Sequence, residues 1–191
     1  MRLFSRLYVW ALQASRHRHA DWYLGGVSVA ESSFFPIPPD VMLAPMTLAR
    51  PADWLWLAGL TTVCSVLGGL LGYAIGLFLL DAALPLIERA GYLPAYETAV
   101  DWFARYGFWA IFLAGFTPIP YKVFTISAGA AQMALIPFVA GSLVGRGLRY
   151  FLIAGLVRVL GVRFEQQLFR HIDLLGWISV LLVVLLLVWA H

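Results

Sequence analysis

Five ionisable side chains lie within otherwise apolar stretches of this sequence. Together they could bind an anion. They are two carboxylates and three cations: Glu31, Asp40, Lys122, Arg146 and Arg149. An unpaired charge at the centre of a bilayer costs about 3 kcal/mol or more, so we expect these groups to face one another or a wet cavity. With both carboxylates ionised, one positive charge remains uncompensated, which suits a phosphate group.

A Pro-Ile-Pro motif interrupts two apolar runs, once just before Asp40 and once just before Lys122. The prolines of the two breaks are Pro36, Pro38, Pro39, Pro118 and Pro120. Proline removes a backbone donor and stops a helix, so neither run can be one continuous helix. The ten or so residues after Asp40 would cover roughly half of the ~30 Å hydrocarbon core. We therefore predict two re-entrant helical hairpins, residues 22–49 and 107–133, whose tips meet near the bilayer midplane.

An apolar run with spaced glycines follows each predicted hairpin, and we predict a transmembrane helix in each, residues 54–80 and 137–160. The glycines recur every four residues: Gly68, Gly72 and Gly76, then Gly141 and Gly145, in line with Arg149. Such stripes allow close helix packing in lipid. A hairpin returns to its own side of the membrane, whereas one span crosses it. The second hairpin must then enter from the opposite face, which gives an inverted repeat.

The charged residues take different roles at the two predicted tips. The N-terminus of each returning half-helix favours an anion, which suits Asp40 but not Lys122, so we expect a negative group near Lys122. We assign substrate or phosphate binding to Tyr121, Lys122, Arg146 and Arg149. We assign proton coupling to the acidic pair Glu31 and Asp40, above all to Glu31, because burial disfavours an ionised carboxylate. The alternative is a structural salt-bridge network that only holds the two repeats together.

Composition places the chain in the membrane. Of its 191 residues, 62% are hydrophobic and 12% are charged, whereas about a quarter of the residues of a soluble domain are charged. We therefore predict an all-α integral membrane protein. The single cysteine, Cys64, excludes a disulfide framework, and the four histidines form no ligand set with an inward-facing carboxylate, so we expect no metal or cofactor. The net charge is only +3, without a basic patch interleaved with aromatics, so we expect no nucleic acid partner.

Three further segments flank or join the predicted repeats. Residues 1–20 carry apolar side chains at helical spacing among arginines, which favours an amphipathic surface helix over a signal peptide, since Arg6 interrupts the apolar core. Residues 81–106 are predicted to lie at the membrane interface, between the two repeats of a membrane domain spanning residues 21–160. Residues 161–191 are predicted to be a basic linker and a C-terminal transmembrane helix.

The predicted topology separates the arginines by side. Eight fall on one side of the membrane: Arg2, Arg6, Arg16, Arg18, Arg50, Arg158, Arg163 and Arg170. Only Arg89 and Arg105 fall on the other. Because cytoplasmic loops carry the excess of Lys and Arg, we predict a cytoplasmic N-terminus and a C-terminus outside.

As an ordered set, these motifs resemble those of a known family. They comprise Glu31 with the 36–40 break, the glycines of 68–76, the 116–122 motif, Gly129 and the pair Arg146 and Arg149. The set is similar to the DedA family of the SNARE-associated or VTT domain superfamily, most of all to its YqaA-like branch. The resemblance implies two opposed re-entrant hairpins in the bacterial cytoplasmic (inner) membrane. It also implies lipid translocation, since bacterial members are linked to undecaprenyl phosphate recycling and phospholipid flipping, and eukaryotic relatives to phospholipid scrambling.

The second motif departs from the family pattern. Many members carry an arginine before its phenylalanine and another after its proline, where this chain has Gly115 and Tyr121-Lys122. A lysine is a point charge that lacks the bidentate fork of arginine. The resemblance therefore does not fix the substrate.

Together these observations predict a transporter rather than an enzyme, since the sequence offers no recognisable nucleophile–base pair, metal cluster or carboxylate dyad. We expect a flippase or scramblase that moves a phosphate-bearing lipid, such as undecaprenyl phosphate or a glycerophospholipid, between leaflets. Its partners would be lipid headgroups, and the sequence is compatible with proton coupling and with homo-oligomers. The alternatives are a proton-coupled secondary transporter of a small ion or metabolite, and a non-transporting membrane scaffold.

Overall fold

The computed structural model describes residues 19–33, 38–89, 91, 93–117 and 121–161 of the chain. Within these residues the regular structure is helical, without a strand, which confirms the predicted all-α class. The six α-helices of this part are α1 (Ala20–Ser33), α2 (Asp40–Ala49), α3 (Trp54–Arg89), α4 (Leu93–Phe116), α5 (Tyr121–Ala130) and α6 (Leu135–Leu160). A 3₁₀ turn, Pro51–Asp53, joins α2 to α3.

Several predictions fall outside the described residues. They concern nearly all of the surface helix over 1–20, the prolines Pro36, Pro118 and Pro120, and residues 162–191 of the predicted C-terminal segment. These stay predictions.

Helix α2 begins directly at the first proline break. Pro39 occupies the N-cap position, and its carbonyl accepts hydrogen bonds from the backbone N–H groups of Met42 and Leu43, both at 2.9 Å. The carbonyl of Pro38 accepts one from Val41 at 3.2 Å. A proline before the first helical turn sacrifices no helical donor, because the first N–H groups of a helix have no partner within it. The break therefore starts a new helix with Asp40 as its first residue.

Helix α3 contains the most apolar segment of the described chain. Residues Pro51–Ala82 include an 18-residue window with a mean hydropathy of 2.2, and they form the one stretch of this part that is long and apolar enough, by length and composition, to cross a membrane. The helix continues past residue 80, the predicted end of the first span, and includes Pro85 before ending at Arg89. Helix α4 then starts at Leu93, inside the 81–106 stretch, whose place at the membrane interface stays a prediction.

Large apolar side chains cover the outer surfaces of the long helices. Phe78 on α3 is 77% exposed, and Ile136 and Val159 on α6 are 85% and 80% exposed. So much exposed apolar surface is unusual for a protein in water, but a hydrocarbon environment covers it at no cost.

The packing of the helices divides the described chain into two equivalent halves. Helix α3 packs on α1 and on α5, and α6 packs on α4 and on α2, while α3 and α6 also touch each other. Exchanging α1–α3 for α4–α6 leaves this arrangement unchanged. Each half has a contact between residues 33 apart: the Ser32 hydroxyl bonds that of Ser65, and the Phe112 carbonyl lies against Gly145. The halves have the contacts expected of a repeat, and their opposed orientation and the re-entry of the hairpins stay predictions.

Glycines allow close helix contacts both within each half and between the halves. A Cβ on Gly68 of α3 would collide with the backbone carbonyl of Val29 in α1, and one on Gly76 would collide with that of Ile126 in α5. On α6, a Cβ at Gly145 would lie 2.5 Å from the carbonyl oxygen of Phe112. The glycine stripes seen in the sequence therefore lie at helix contacts, as small-residue stripes in membrane proteins commonly do.

Substituting Gly129 tests this close packing. The new Cβ of Gly129→Ala would collide with the carbonyl oxygen of Tyr73, so we expect a loss of about 1–3 kcal/mol of stability. Gly59→Ala is the matched control, because no atom lies within 4 Å of its Cβ and alanine favours a helix by roughly 0.5–1 kcal/mol. Thermal unfolding of the two variants in detergent gives the comparison, and equal melting temperatures would contradict the packing.

Charged and aromatic residues gather near the start of α1 and the end of α2. Arg50, after α2, donates a hydrogen bond of 2.5 Å to Asp21, near the start of α1, and Trp56 donates another at 3.2 Å. Burial opposes ionisation of Asp21, but these hydrogen bonds and the Arg50 charge outweigh it and lower its pKa below the usual range. Arg158 stacks over Trp54, with 5.5 Å from its guanidinium carbon to the ring centroid. Arg50 and Arg158 therefore lie at the same end of the molecule.

Candidate functional site

Helix α6 brings two arginines to the centre of the described structure. Arg146 and Arg149 lie one turn apart, where α6 meets α2, α3 and α4. The Arg146 side chain is 2% exposed and that of Arg149 is 17% exposed. Arginine stays protonated in proteins, so each guanidinium needs acceptors when it is buried.

The hydrogen-bond and ion-pair partners of Arg146 come from the other half of the molecule. Its Nη2 forms an ion pair with Glu31 Oε2 and also donates to Ser32 Oγ at 2.9 Å, and its Nε donates to Ser65 Oγ at 2.5 Å. The guanidinium also lies over the rings of Tyr121 and Tyr150, 4.6 Å and 5.0 Å from their centroids. We call this group, Arg146 with Glu31, Ser32, Ser65 and the two tyrosines, the clasp. It joins α1, α3, α5 and α6.

Arg149 connects the start of α2 with the end of α4. Its Nη2 donates to Asp40 Oδ2 at 2.5 Å, at the start of α2, and its Nη1 donates to the backbone carbonyl of Thr117 at 2.9 Å, just after α4. The carboxylate comes from the first half and the carbonyl from the second. One side chain therefore contacts the described edge of both proline breaks.

Lys122 stands apart from these ion pairs. It is the second residue of α5 and is half-buried, but no carboxylate among the described residues pairs with it. Glu31 and Asp40 are instead paired with Arg146 and Arg149. The negative group that we expected near Lys122 is thus not found in the described part of the chain. The uncompensated charge of the five-residue set falls on this lysine.

Tyr121, which we predicted to bind substrate, is enclosed by protein. Its hydroxyl donates to Ser142 Oγ at 2.5 Å, its ring lies against Arg146, and the residue is 0% exposed. Gly69 makes room for it, since a Cβ there would lie 3.1 Å from the tyrosine hydroxyl. Tyr121 therefore fixes the start of α5 beside Arg146, and the neighbouring Lys122 is fixed with it.

Sequence reasoning missed the residues that complete the clasp. Ser32, Ser65 and Tyr150 are all 0% exposed and contact Arg146. A weak signal existed, because Ser65 precedes Gly68 by one turn on the glycine-bearing face of α3, and Tyr150 follows Arg146 by one turn. Isolated serines and tyrosines are common in apolar helices, so this pattern alone does not predict a polar cluster.

The described residues hold no group of three or more His, Cys, Asp or Glu side chains suited to a metal ion. The described site therefore consists of two ion pairs, several hydroxyl groups and the ammonium group of Lys122, which has no carboxylate partner among the described residues.

Comparison with known proteins yields a family and three relatives. The family model for the VTT domain matches residues 37–159. An uncharacterized protein of Haemophilus influenzae is 42% identical over 185 residues, covering 97% of this chain and 96% of its own length. An uncharacterized protein of Histophilus somni is 39% identical over 184 residues, covering 96% of each chain. The Staphylococcus aureus undecaprenyl phosphate transporter A is 29% identical over 137 residues, covering 67% of this chain and 68% of its own length. No solved structure matches this chain.

Proposed function

Because this chain belongs to the VTT domain family, the DedA family of bacterial inner-membrane proteins, we propose that it moves a phosphate-bearing lipid between membrane leaflets. The substrate class is a polyprenyl phosphate such as undecaprenyl phosphate, or a glycerophospholipid. The similarity to a Staphylococcus aureus undecaprenyl phosphate transporter supports a transport role rather than an enzymatic one. The proposal places the N-terminus, with Arg50 and Arg158, on the cytoplasmic side.

Lys122 is the observation that carries this proposal. The other four buried charges are neutralised in pairs, whereas Lys122 has no described carboxylate partner. It also lies in the first turn of α5, where the backbone N–H groups and the helix dipole add to the positive potential. An anion with two or three acceptor oxygens meets the needs of both features. A lipid phosphate supplies such an anion, and its chains remain in the bilayer against the exposed apolar faces.

Arg149 is the second phosphate ligand of the proposal. Two of its N–H groups donate to Asp40 and to the Thr117 carbonyl, and a phosphate offers oxygens that can replace either acceptor. Protonation of Asp40 would remove its charge and weaken its bond to Arg149. A proton on Asp40 would then favour a phosphate on Arg149, which couples lipid binding to the proton gradient.

The clasp has a different role in this proposal from the one first assigned to its members. Arg146 already has acceptors from Glu31, Ser32 and Ser65, so we propose that it holds the halves together and does not bind substrate. This feature favours the scaffold alternative for one part of the site. A purely structural role does not explain why Lys122 has no carboxylate partner among the described residues. For that reason we prefer a transporter.

Substitution of Lys122 tests the proposed function. In vesicles of phosphatidylcholine with a trace of fluorescent polyprenyl phosphate, we expect Lys122→Gln to slow leaflet exchange roughly tenfold, since a charge-assisted hydrogen bond contributes about 1.5–3 kcal/mol. Lys122→Arg should retain most of the exchange because it keeps the charge. Arg105→Gln, which removes an exposed cation of α4, is the control.

Two results would decide against this function. Wild-type exchange in a folded Lys122→Gln protein would exclude Lys122 as a phosphate ligand. Uptake of radioactive inorganic phosphate into the same vesicles, without exchange of the lipid, would favour a small-ion transporter.

A further inference from the structure

Three buried polar atoms in the described part of the chain have no hydrogen-bond partner in the protein. They are Asp40 Oδ1, Thr47 Oγ1 and the Tyr150 hydroxyl oxygen. Asp40 is 4% exposed, and Thr47 and Tyr150 are 0% exposed. Buried polar groups nearly always have a partner, because an unmade hydrogen bond in a dry interior costs free energy. All three atoms belong to α2 and α6, which pack on each other.

Two of the three atoms lie on one face of α2, and the third comes from α6, which packs against α2. Asp40 and Thr47 lie two turns apart on the same face of α2, roughly 10 Å along the axis. Tyr150 belongs to the core cluster that includes Met42, Leu43 and Met46 from the segment between them. The hydroxyl of α6 and the two polar atoms of α2 thus share one enclosed region.

The two buried hydroxyl groups of α5, by contrast, have hydrogen-bond partners. On α5, the hydroxyl of Thr125 donates to the carbonyl of Lys122 at 3.0 Å, and that of Tyr121 donates to Ser142. The unsatisfied atoms are therefore not a general property of the two returning helices. They are confined to α2 and its partner.

This face of α2 leads away from the ion pairs toward one end of the protein. Thr47 lies one turn before Arg50, whose side chain is 40% exposed, and the Asp21 side chain paired with it is 34% exposed. At the opposite end of this face lies Asp40, whose other carboxylate oxygen is bound to Arg149. Along α2, Thr47 thus lies between Asp40 at the centre of the site and the solvent-accessible end at Arg50.

We propose that ordered water molecules bridge Asp40, Tyr150 and Thr47 and conduct protons between the Arg50 end and Asp40. A buried water needs two or more polar partners, and hydroxyl groups can both donate and accept. In the transfer, a hydronium ion gives its proton to Asp40 Oδ1 and remains as water. Asp40 becomes neutral, and Arg149 loses its charged partner while keeping the Thr117 carbonyl. This proposal rests on the proposed function, in which protonation of Asp40 frees Arg149 for phosphate.

This assigns the proton to Asp40 rather than to Glu31, which we first expected to carry it. Glu31 Oε2 accepts from both Arg146 and Ser32, so its pairing is held by two donors. In Asp40 only Oδ2 accepts a hydrogen bond from Arg149, and Oδ1 has no hydrogen-bond partner in the described protein. The charged or titratable neighbours of Asp40 in this part of the fold are Arg149, Arg146, Tyr150 and, further off, Glu31.

Radiolytic hydroxyl-radical labelling of the full-length protein in lipid nanodiscs tests for the water. Buried water that is split by X-rays modifies the side chains beside it. We expect Met42, Met46 and Tyr150 to be modified although all three are 0% exposed. Met133 and Tyr121, equally enclosed but in the second core cluster, are the controls and should remain nearly unmodified. Equal modification of the two sets would overturn the proposal, whatever the lipid assay shows.

Two conservative substitutions test the proton path. Thr47→Val and Tyr150→Phe each remove one hydroxyl oxygen while keeping the shape of the side chain. We expect either to slow proton uptake by proteoliposomes under an imposed membrane potential roughly tenfold, the effect of about 1.4 kcal/mol on a barrier. Thr62→Val is the control, because that hydroxyl bonds the Ala58 carbonyl on α3.

If Thr47→Val and Tyr150→Phe both fold and both take up protons at the wild-type rate, the proposed water path is wrong. Should one variant fail to fold, the labelling of the wild type and the other variant still decide. Labelling and proton uptake as expected, together with no lipid exchange, would refute the proposed function and leave the water path standing.

Discussion

Replacing Arg146 by methionine is expected to destabilise the protein by about 3–5 kcal/mol, the range for breaking a buried ion pair by removing one partner. The loss is large because Glu31 would keep its charge in a site built to neutralise it. Ser32 and Ser65 would also lose the guanidinium to which they are bonded. The clasp contacts four helices, so its removal loosens both halves together.

A double-mutant cycle separates the ion pair from the shape of the side chain. Glu31→Gln combined with Arg146→Met should recover part of the stability lost by Arg146→Met alone, because the unpaired charge is gone. Arg158→Met is the matched control: it removes an arginine of α6 that stacks on Trp54 near one end of the molecule. Thermal unfolding in detergent is measured for the wild type, Glu31→Gln, Arg146→Met, the double variant and the Arg158→Met control. Additive effects of the two substitutions would show that the pair contributes nothing as a pair.

The elements that could be predicted were those whose signal is local. The Pro-Ile-Pro motif before Asp40 is bounded by the end of α1 and the start of α2, since proline permits only a few backbone conformations. The glycines spaced by four mark the contacts between helices, because only glycine lets two backbones approach so closely. Each of these signals depends only on a few neighbouring residues, so it can be recognised without knowing which helix packs against them.

The pairing of the charges could not be predicted in the same way. Glu31 and Arg146 are 115 residues apart, and Asp40 and Arg149 are 109 apart. The sequence predicts that buried charges find partners, but it does not say which carboxylate meets which cation. Lys122 was expected to have a negative neighbour and has none among the described residues, since both carboxylates are paired elsewhere.

The departure at Gly115 from the pattern of many family members has a structural setting. A Cβ at this position would lie 3.2 Å from the backbone nitrogen of Arg146. Helix α4 therefore approaches α6 closely beside the clasp, and a long side chain here would have to push the two apart. In this chain the cations of the site are supplied by Lys122, Arg146 and Arg149 instead.

Substitution of Arg149 is expected to have the largest effect on transport. Arg149→Lys keeps a positive charge that can pair with Asp40, but it lacks the fork that reaches Asp40 and the Thr117 carbonyl together. We expect this variant to fold normally and to exchange the labelled lipid phosphate roughly tenfold more slowly. Arg149→Ala should lower exchange further, and it should also destabilise the protein, because Asp40 is left buried without its partner.

Neutralising Asp40 distinguishes a substrate ligand from a structural pair. If Arg149 only ties the start of α2 to the end of α4, Asp40→Asn combined with Arg149→Ala should recover both stability and leaflet exchange, since neither position then carries an unpaired buried charge. If Arg149 binds phosphate, the double variant should recover stability but not exchange, because the asparagine cannot replace the lost cation. Exchange at the wild-type rate in a folded Arg149→Ala protein would rule out Arg149 as a phosphate ligand. The same arginine would then be a structural link between the halves, and Lys122 alone would remain as a candidate for the anion.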